Sequence, residues 1–172
     1  MKKIILLFTL CLCFANCKSS KGIVTKKNKT THTAKHPRTT TSATSKTIEN
    51  IIDYAKSFQG TRYKYGGTTK RGMDCSGLVV TAFQKEDILL PRTTADLSTR
   101  GDWVDVKEVL EGDLLFFATK KNSRRINHVA IVTKVRPGYV EFIHSTTSKG
   151  VITSTLSERY WYLAYVQARR IM

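Results

Sequence analysis

Acidic residues are missing from the first 48 positions of this 172-residue chain; the first is Glu49. Missing too is any apolar run of the roughly 20 residues that a membrane-spanning helix needs. The run from Ile4 to Ala15 is far shorter, and it follows Lys2 and Lys3. That combination reads as a secretory signal over residues 1–17. Cysteine is scarce: of four, Cys11 and Cys13 fall inside the signal, Cys17 closes it, and Cys75 alone remains in the body of the chain. One cysteine in an exported domain excludes an internal disulfide framework and raises the question of a reactive thiol.

The signal ends as lipoprotein signals do, with Cys17 followed by the polar run "KSSKG". Two positions depart from the usual lipobox, where Leu stands third before the cysteine and a small residue directly before it; here they are Phe14 and Asn16. The expectation is an acylated Cys17, with Lys18 in place of an inner-membrane retention aspartate, hence an outer-membrane anchor facing the periplasm in a diderm host. Residues 18–46 are Thr-, Ser- and Lys-rich with almost no apolar periodicity, and read as a disordered linker. Removing the signal's two lysines and the linker's eight Lys or Arg from the net charge of +16 leaves +6 on residues 47–172. Much of the charge is therefore tether, suited to anionic lipid or wall polymer. Nucleic acid is disfavoured, since aromatic residues do not interleave with the basic ones.

Residues 47–172 suffice for one domain. "TIENIIDYAKSFQG" spaces Ile48, Ile51, Ile52, Ala55 and Phe58 as a helix face, with Thr47 as N-cap and Gly60 as stop. "CSGLVVTAFQKED" predicts a second helix with Cys75 in its first turn. Beyond Pro91 come β-branched and aromatic runs, "DLLFFAT", "HVAIVTKV", "YVEFIHS", "GVITST" and "WYLAYVQARR", which read as an antiparallel sheet. Helices first and strands later predict an α+β fold, with the helices on one face of the sheet.

A thiol becomes a nucleophile as thiolate, which a helix's first turn favours through its free N–H groups and dipole. The same N–H groups can receive an oxyanion, and Gly77 leaves room for close backbone approach. The base must be His128 or His144, the two histidines of residues 47–172. His128 is in phase with Ala130 and Val132, and His144 with Phe142 and Val140, on strands joined by the turn in "KVRPG". Direct pairing, or an offset of two, puts both imidazoles on one face; an odd slip separates them. His128 then acts as base and His144 orients it. A Cys/His/His zinc site is the rival, but residues 47–172 contain neither C-x-x-C nor H-x-x-x-H.

"GTRYKYGGTTKRGMDCSGLV", "LPRTTADLS", "LEGDLLFF", "NHVAIV" and "FIHSTTSKGV" together resemble the ordered motifs of the NlpC-type cell-wall cysteine peptidases, a papain-like family, over residues 48–167. The resemblance implies an endopeptidase that cuts peptidoglycan stem peptides through a thioester and needs no cofactor. By position Cys75 matches the nucleophile, His128 the base and His144 its orienting partner. Tyr63 matches a tyrosine that serves the oxyanion site or positions substrate. Asp74 and Ser76 match residues lining the substrate groove, although Asp74 also suits a helix cap. Arg92 either faces the groove or pairs on the surface. Arg62 and Met73 depart from the proline and smaller aliphatic residue usual in relatives. A monomer is expected, and the alternatives are a silent wall-binding module, a zinc amidase or a related thiol acyl or amide transferase.

Overall fold

The computed structural model describes residues 38–172, with side chains from Ala43 onward; the signal, Cys17 and linker residues 18–37 lie outside the described residues. The first helix, α1, runs Arg38–Lys56, nine residues ahead of the expected start. Thr47 is therefore inside the helix and not its N-cap. A two-stranded ribbon follows, β1 (Thr68–Thr69) and β2 (Gly72–Met73), and then α2 (Cys75–Gln84) and the single turn α3 (Thr94–Leu97).

The strands β3 (Asp102–Val104), β4 (Leu114–Phe117), β5 (His128–Arg136), β6 (Tyr139–Thr146), β7 (Gly150–Thr155) and β8 (Tyr165–Arg170) form one sheet in the order β3-β8-β4-β5-β6-β7. Every neighbouring pair is antiparallel, which makes the fold α+β as the sequence predicts. The β5–β6 turn is Pro137–Gly138, with Gly138 at φ +72°, where proline fixes the first corner and only glycine adopts the second without strain.

Alternation along the strands sends side chains to two cores. Leu114, Phe116, Val129, Ile131, Ile143 and Val151 face Ile51, Ile52 and Ala55 of α1 and Leu78, Val79, Ala82 and Phe83 of α2. Their neighbours Leu115, Phe117, Ala130, Val132, Phe142 and Ala168 form the second core, closed by Trp161 and Ala164. Those two belong to α4 (Arg159–Ala164), a helix where "WYLAYVQARR" reads as one continuous strand. The strand expected there begins only at Tyr165. The sheet is thus covered on both faces, with α1 and α2 on one and α4 on the other.

Candidate active site

The polar start of α2 is built by Asp74. Its Oδ1 accepts the Gly77 N–H at 2.6 Å and its Oδ2 the Gly66 N–H at 2.7 Å, so the carboxylate caps the helix and ties the preceding loop to it. A Cβ on Gly77 would collide with the Gly67 carbonyl, so this close approach requires glycine. Arg92 completes the cluster: Nη2 donates to Asp74 Oδ2 and Nη1 to Ser76 Oγ, both at 2.7 Å. Burial alone would push the Asp74 carboxyl up, but Arg92 and the two backbone N–H groups outweigh it and hold the group below its ordinary value. Both oxygens of Asp74 are engaged, and Arg92 pairs with it rather than projecting freely.

Cys75 sits next in this turn, its Sγ 3.7 Å from Thr94 Oγ1. Hydrogen bonds from Thr94 and from the backbone of Val129 and Ser76 favour the thiolate, yet burial dominates and pushes the thiol up from its ordinary value. The lowering expected from the helix start alone is thereby reversed: partial burial of the group makes the anion cost more than the first turn returns. At rest the group is a thiol.

The Val129 contact places Cys75 beside the start of β5, where His128 stands. In the β5–β6 register Ile131 lies opposite Ile143 and Val132 opposite Phe142. Continued by one pair, His144 falls opposite Ala130, the even offset that puts both imidazoles on one face. Their rings meet edge to face, with His128 Nε2 2.8 Å from His144 Nδ1. His144 Nε2 lies 3.1 Å from Ser154 Oγ on β7, opposite Phe142 and on the same face. Trp161 of α4 stacks on His128 at 5.4 Å and meets His144 edge-on at 4.5 Å. In this dry enclosure burial lowers His128 to about 4, and burial together with His128 lowers His144 to about 3. Both imidazoles are neutral at pH 7.

Two cavities of about 350 and 340 Å³ meet at Tyr63, Cys75 and Asn127. His128 lies in the first with Thr119 and Ser145–Ser148; Asp74, Ser76 and Arg92 line the second with Thr93 and Thr94. Tyr63 is half-buried between them, its hydroxyl pushed up by burial and by nearby Cys75 and Asp74. A larger hollow of about 710 Å³, beside α1 and Leu110, contains no thiol or imidazole. Among the described residues no group of three or more His, Cys, Asp or Glu is arranged to hold a metal ion.

The model of the NlpC/P60 family matches residues 60–170, the span that holds every one of these groups. The chain belongs to the NlpC/P60 family. It is 41% identical over 141 residues to the "Probable endopeptidase NlpC" of Escherichia coli K12, covering 81% of this chain and 88% of that protein. It is 37% identical over 123 residues to the same organism's "Murein DD-endopeptidase MepS/Murein LD-carboxypeptidase", covering 71% and 62% respectively. Among solved structures, an NlpC/P60 family protein of Bacillus cereus superposes with a TM-score of 0.65 at 30% identity, over 72% of this chain and 40% of that one.

The structure brings Tyr63, Asp74, Cys75, Ser76, Arg92, His128 and His144 of this NlpC/P60 domain to one cleft. Sequence reasoning missed Ser154, Trp161 and Thr94. Ser154 was legible in principle, since it is in phase with Ile152, the residue that pairs with His144, on one face of the sheet. Trp161 was hidden by the mistaken strand.

Proposed function

We propose that this NlpC/P60 domain is a peptidoglycan endopeptidase in which Cys75, His128 and His144 carry the reaction. The observation that supports it most is His128, which lines the same cavity as Cys75 and is hydrogen-bonded to the buried His144 behind it. With His144 on Nε2, His128 has Nδ1 left for the thiol. A consistent proton arrangement runs outward: His144 Nε2–H donates to Ser154 Oγ, and His128 Nε2–H donates to His144 Nδ1.

Because thiol and imidazole are both neutral at rest, proton transfer accompanies attack. His128 Nδ1 takes the Cys75 proton as Sγ bonds to the amide carbon. The oxyanion is held by the Cys75 N–H, which has no intrahelical acceptor at this first-turn position, and by the Tyr63 hydroxyl. The Trp161 face stabilises the transient imidazolium. The C–N bond then breaks, and His128 returns the proton to the leaving amine. Water, deprotonated by His128, hydrolyses the thioester and restores the thiol. Since His128 protonates the amine, the leaving fragment lies in the His128 cavity. The acyl fragment lies in the other, against the wall formed by Asp74, Ser76 and Arg92.

Purified sacculi treated with the protein should release soluble muropeptides, identified by mass, and Cys75→Ala should release none. Identical fragments from the variant would sink the thiol mechanism. Cys17 is the proposed lipid attachment point, supported by the signal-like run before it. Cys17→Ala should move the protein from the membrane fraction to the soluble envelope fraction; unchanged fractionation would remove the anchor.

A further inference from the structure

The loop joining β4 to β5, "TKKNSRRIN" from Thr119 to Asn127, holds Lys120, Lys121, Arg124 and Arg125 with no acidic residue among them. All four are exposed, and none takes part in an ion pair among the described residues, where the pairs are Lys46–Glu49, Arg92–Asp74 and Arg170–Asp113. Despite its polarity the loop has a built neck. Asn127 Oδ1 accepts the Thr119 N–H at 2.8 Å, and Asn127 Nδ2 donates to Thr119 Oγ1, also at 2.8 Å. The Asn127 N–H in turn donates to the Phe117 carbonyl.

This clasp roots the loop that carries the cations beside the chemistry. Thr119 and Asn127 line the His128 cavity, and Asn127 directly precedes the base. The only carboxylate lining either cavity is Asp74, which Arg92 neutralises. Neither cavity therefore offers the loop's cations an uncommitted acid, which leaves them available to an acid that comes with the substrate. Solvated lysines and arginines alone would carry no such meaning; their fixed attachment at the mouth of one particular cavity does.

We infer that the Lys120–Arg125 loop binds a carboxylate of the leaving peptide fragment, so that the enzyme selects amide bonds whose amine side carries a free acid group. The inference rests on the peptidase reading above, because it is proton delivery by His128 that assigns this cavity to the leaving fragment. The interaction is solvent-exposed and screened, so it acts on binding and not on the chemical step.

The test uses pairs of soluble muropeptides differing only in whether the leaving fragment's carboxylate is free or a primary amide. The wild-type protein is compared with a variant carrying Lys120→Gln, Lys121→Gln, Arg124→Gln and Arg125→Gln, after matched thermal melts establish folding. For the free acid, KM should rise about five-fold in the variant with kcat nearly unchanged, and wild-type KM should rise with salt. For the amide, KM should be the same in both proteins. Equal KM values for acid and amide in the wild type overturn the inference while leaving the peptidase standing. So does an effect confined to intact sacculi, which would assign the loop to an anionic wall polymer. If the wild type cleaves neither peptide, the peptidase reading falls and this inference with it.

Discussion

His128 and His144 are buried without a carboxylate to hold a charge, and this sets how the folded domain responds to acid. Burial lowers them from an ordinary 6.5 to about 4 and about 3. Between 6.5 and those values the unfolded chain binds protons that the folded chain does not, so stability is fully present above pH 6.5 and is lost as pH falls through about 4. The slope approaches about 1.4 kcal/mol per pH unit for each histidine over that window. Urea midpoints should be level from pH 7.5 to about 6.5 and fall steadily from there to pH 4.5, and His128→Gln with His144→Asn should flatten the fall; an equally steep fall in the double variant would place the acid sensitivity elsewhere. The identities of these groups were legible because a nucleophile without a base is inert, and residues 47–172 offer just two imidazoles. Their protonation was not legible, nor was that of Cys75. A helix start favours the thiolate in isolation, but how much water reaches the sulfur depends on Thr94, Val129 and the rest of the cleft, which only the fold assembles.

At the scale of elements, the register between β6 and β7 adds Ser154 to the histidine pair, since Ile152 lies opposite His144 and Ser154 one alternation further on the same face. Ser154 Oγ lies 3.1 Å from His144 Nε2, and in the proposed proton arrangement it accepts there, which leaves Nδ1 open to His128. Ser154→Ala should lower kcat about ten-fold with KM little changed, and Ser154→Thr should recover most of the loss. A purely structural contribution would instead leave kcat intact and lower only the melting temperature. Helix α2 was legible from Leu78, Val79, Ala82 and Phe83, spaced to fill one helical face. Helix α4 was not: "RYWYLAYV" suits a strand by composition, and just Trp161 and Ala164 of the helix are buried. What decides the matter is tertiary, because a helix at that point brings the Trp161 ring over both imidazoles. Strand β3 escaped notice because three residues with two exposed carry no readable alternation.

The whole molecule divides its labour along the chain. Residues 1–46 account for most of the charge, while the described domain concentrates reactive groups in one cleft and cations outside any ion pair in a loop rooted beside it. Helix α1 was legible where Ile48, Ile51, Ile52 and Ala55 pack against the sheet and illegible before that, since "RTTTSATS" combines residues of modest helix propensity with no apolar stripe. That early start at Arg38 bears on the anchor proposed at Cys17. From Lys18 to Pro37 the chain has 20 residues before the helix begins. They are fewer than the 29 of residues 18–46. The remaining nine residues add a rod of about 14 Å fixed to the catalytic domain. Under the acylation proposed for Cys17, those nine residues therefore count as part of the catalytic domain and not as part of what joins it to the lipid.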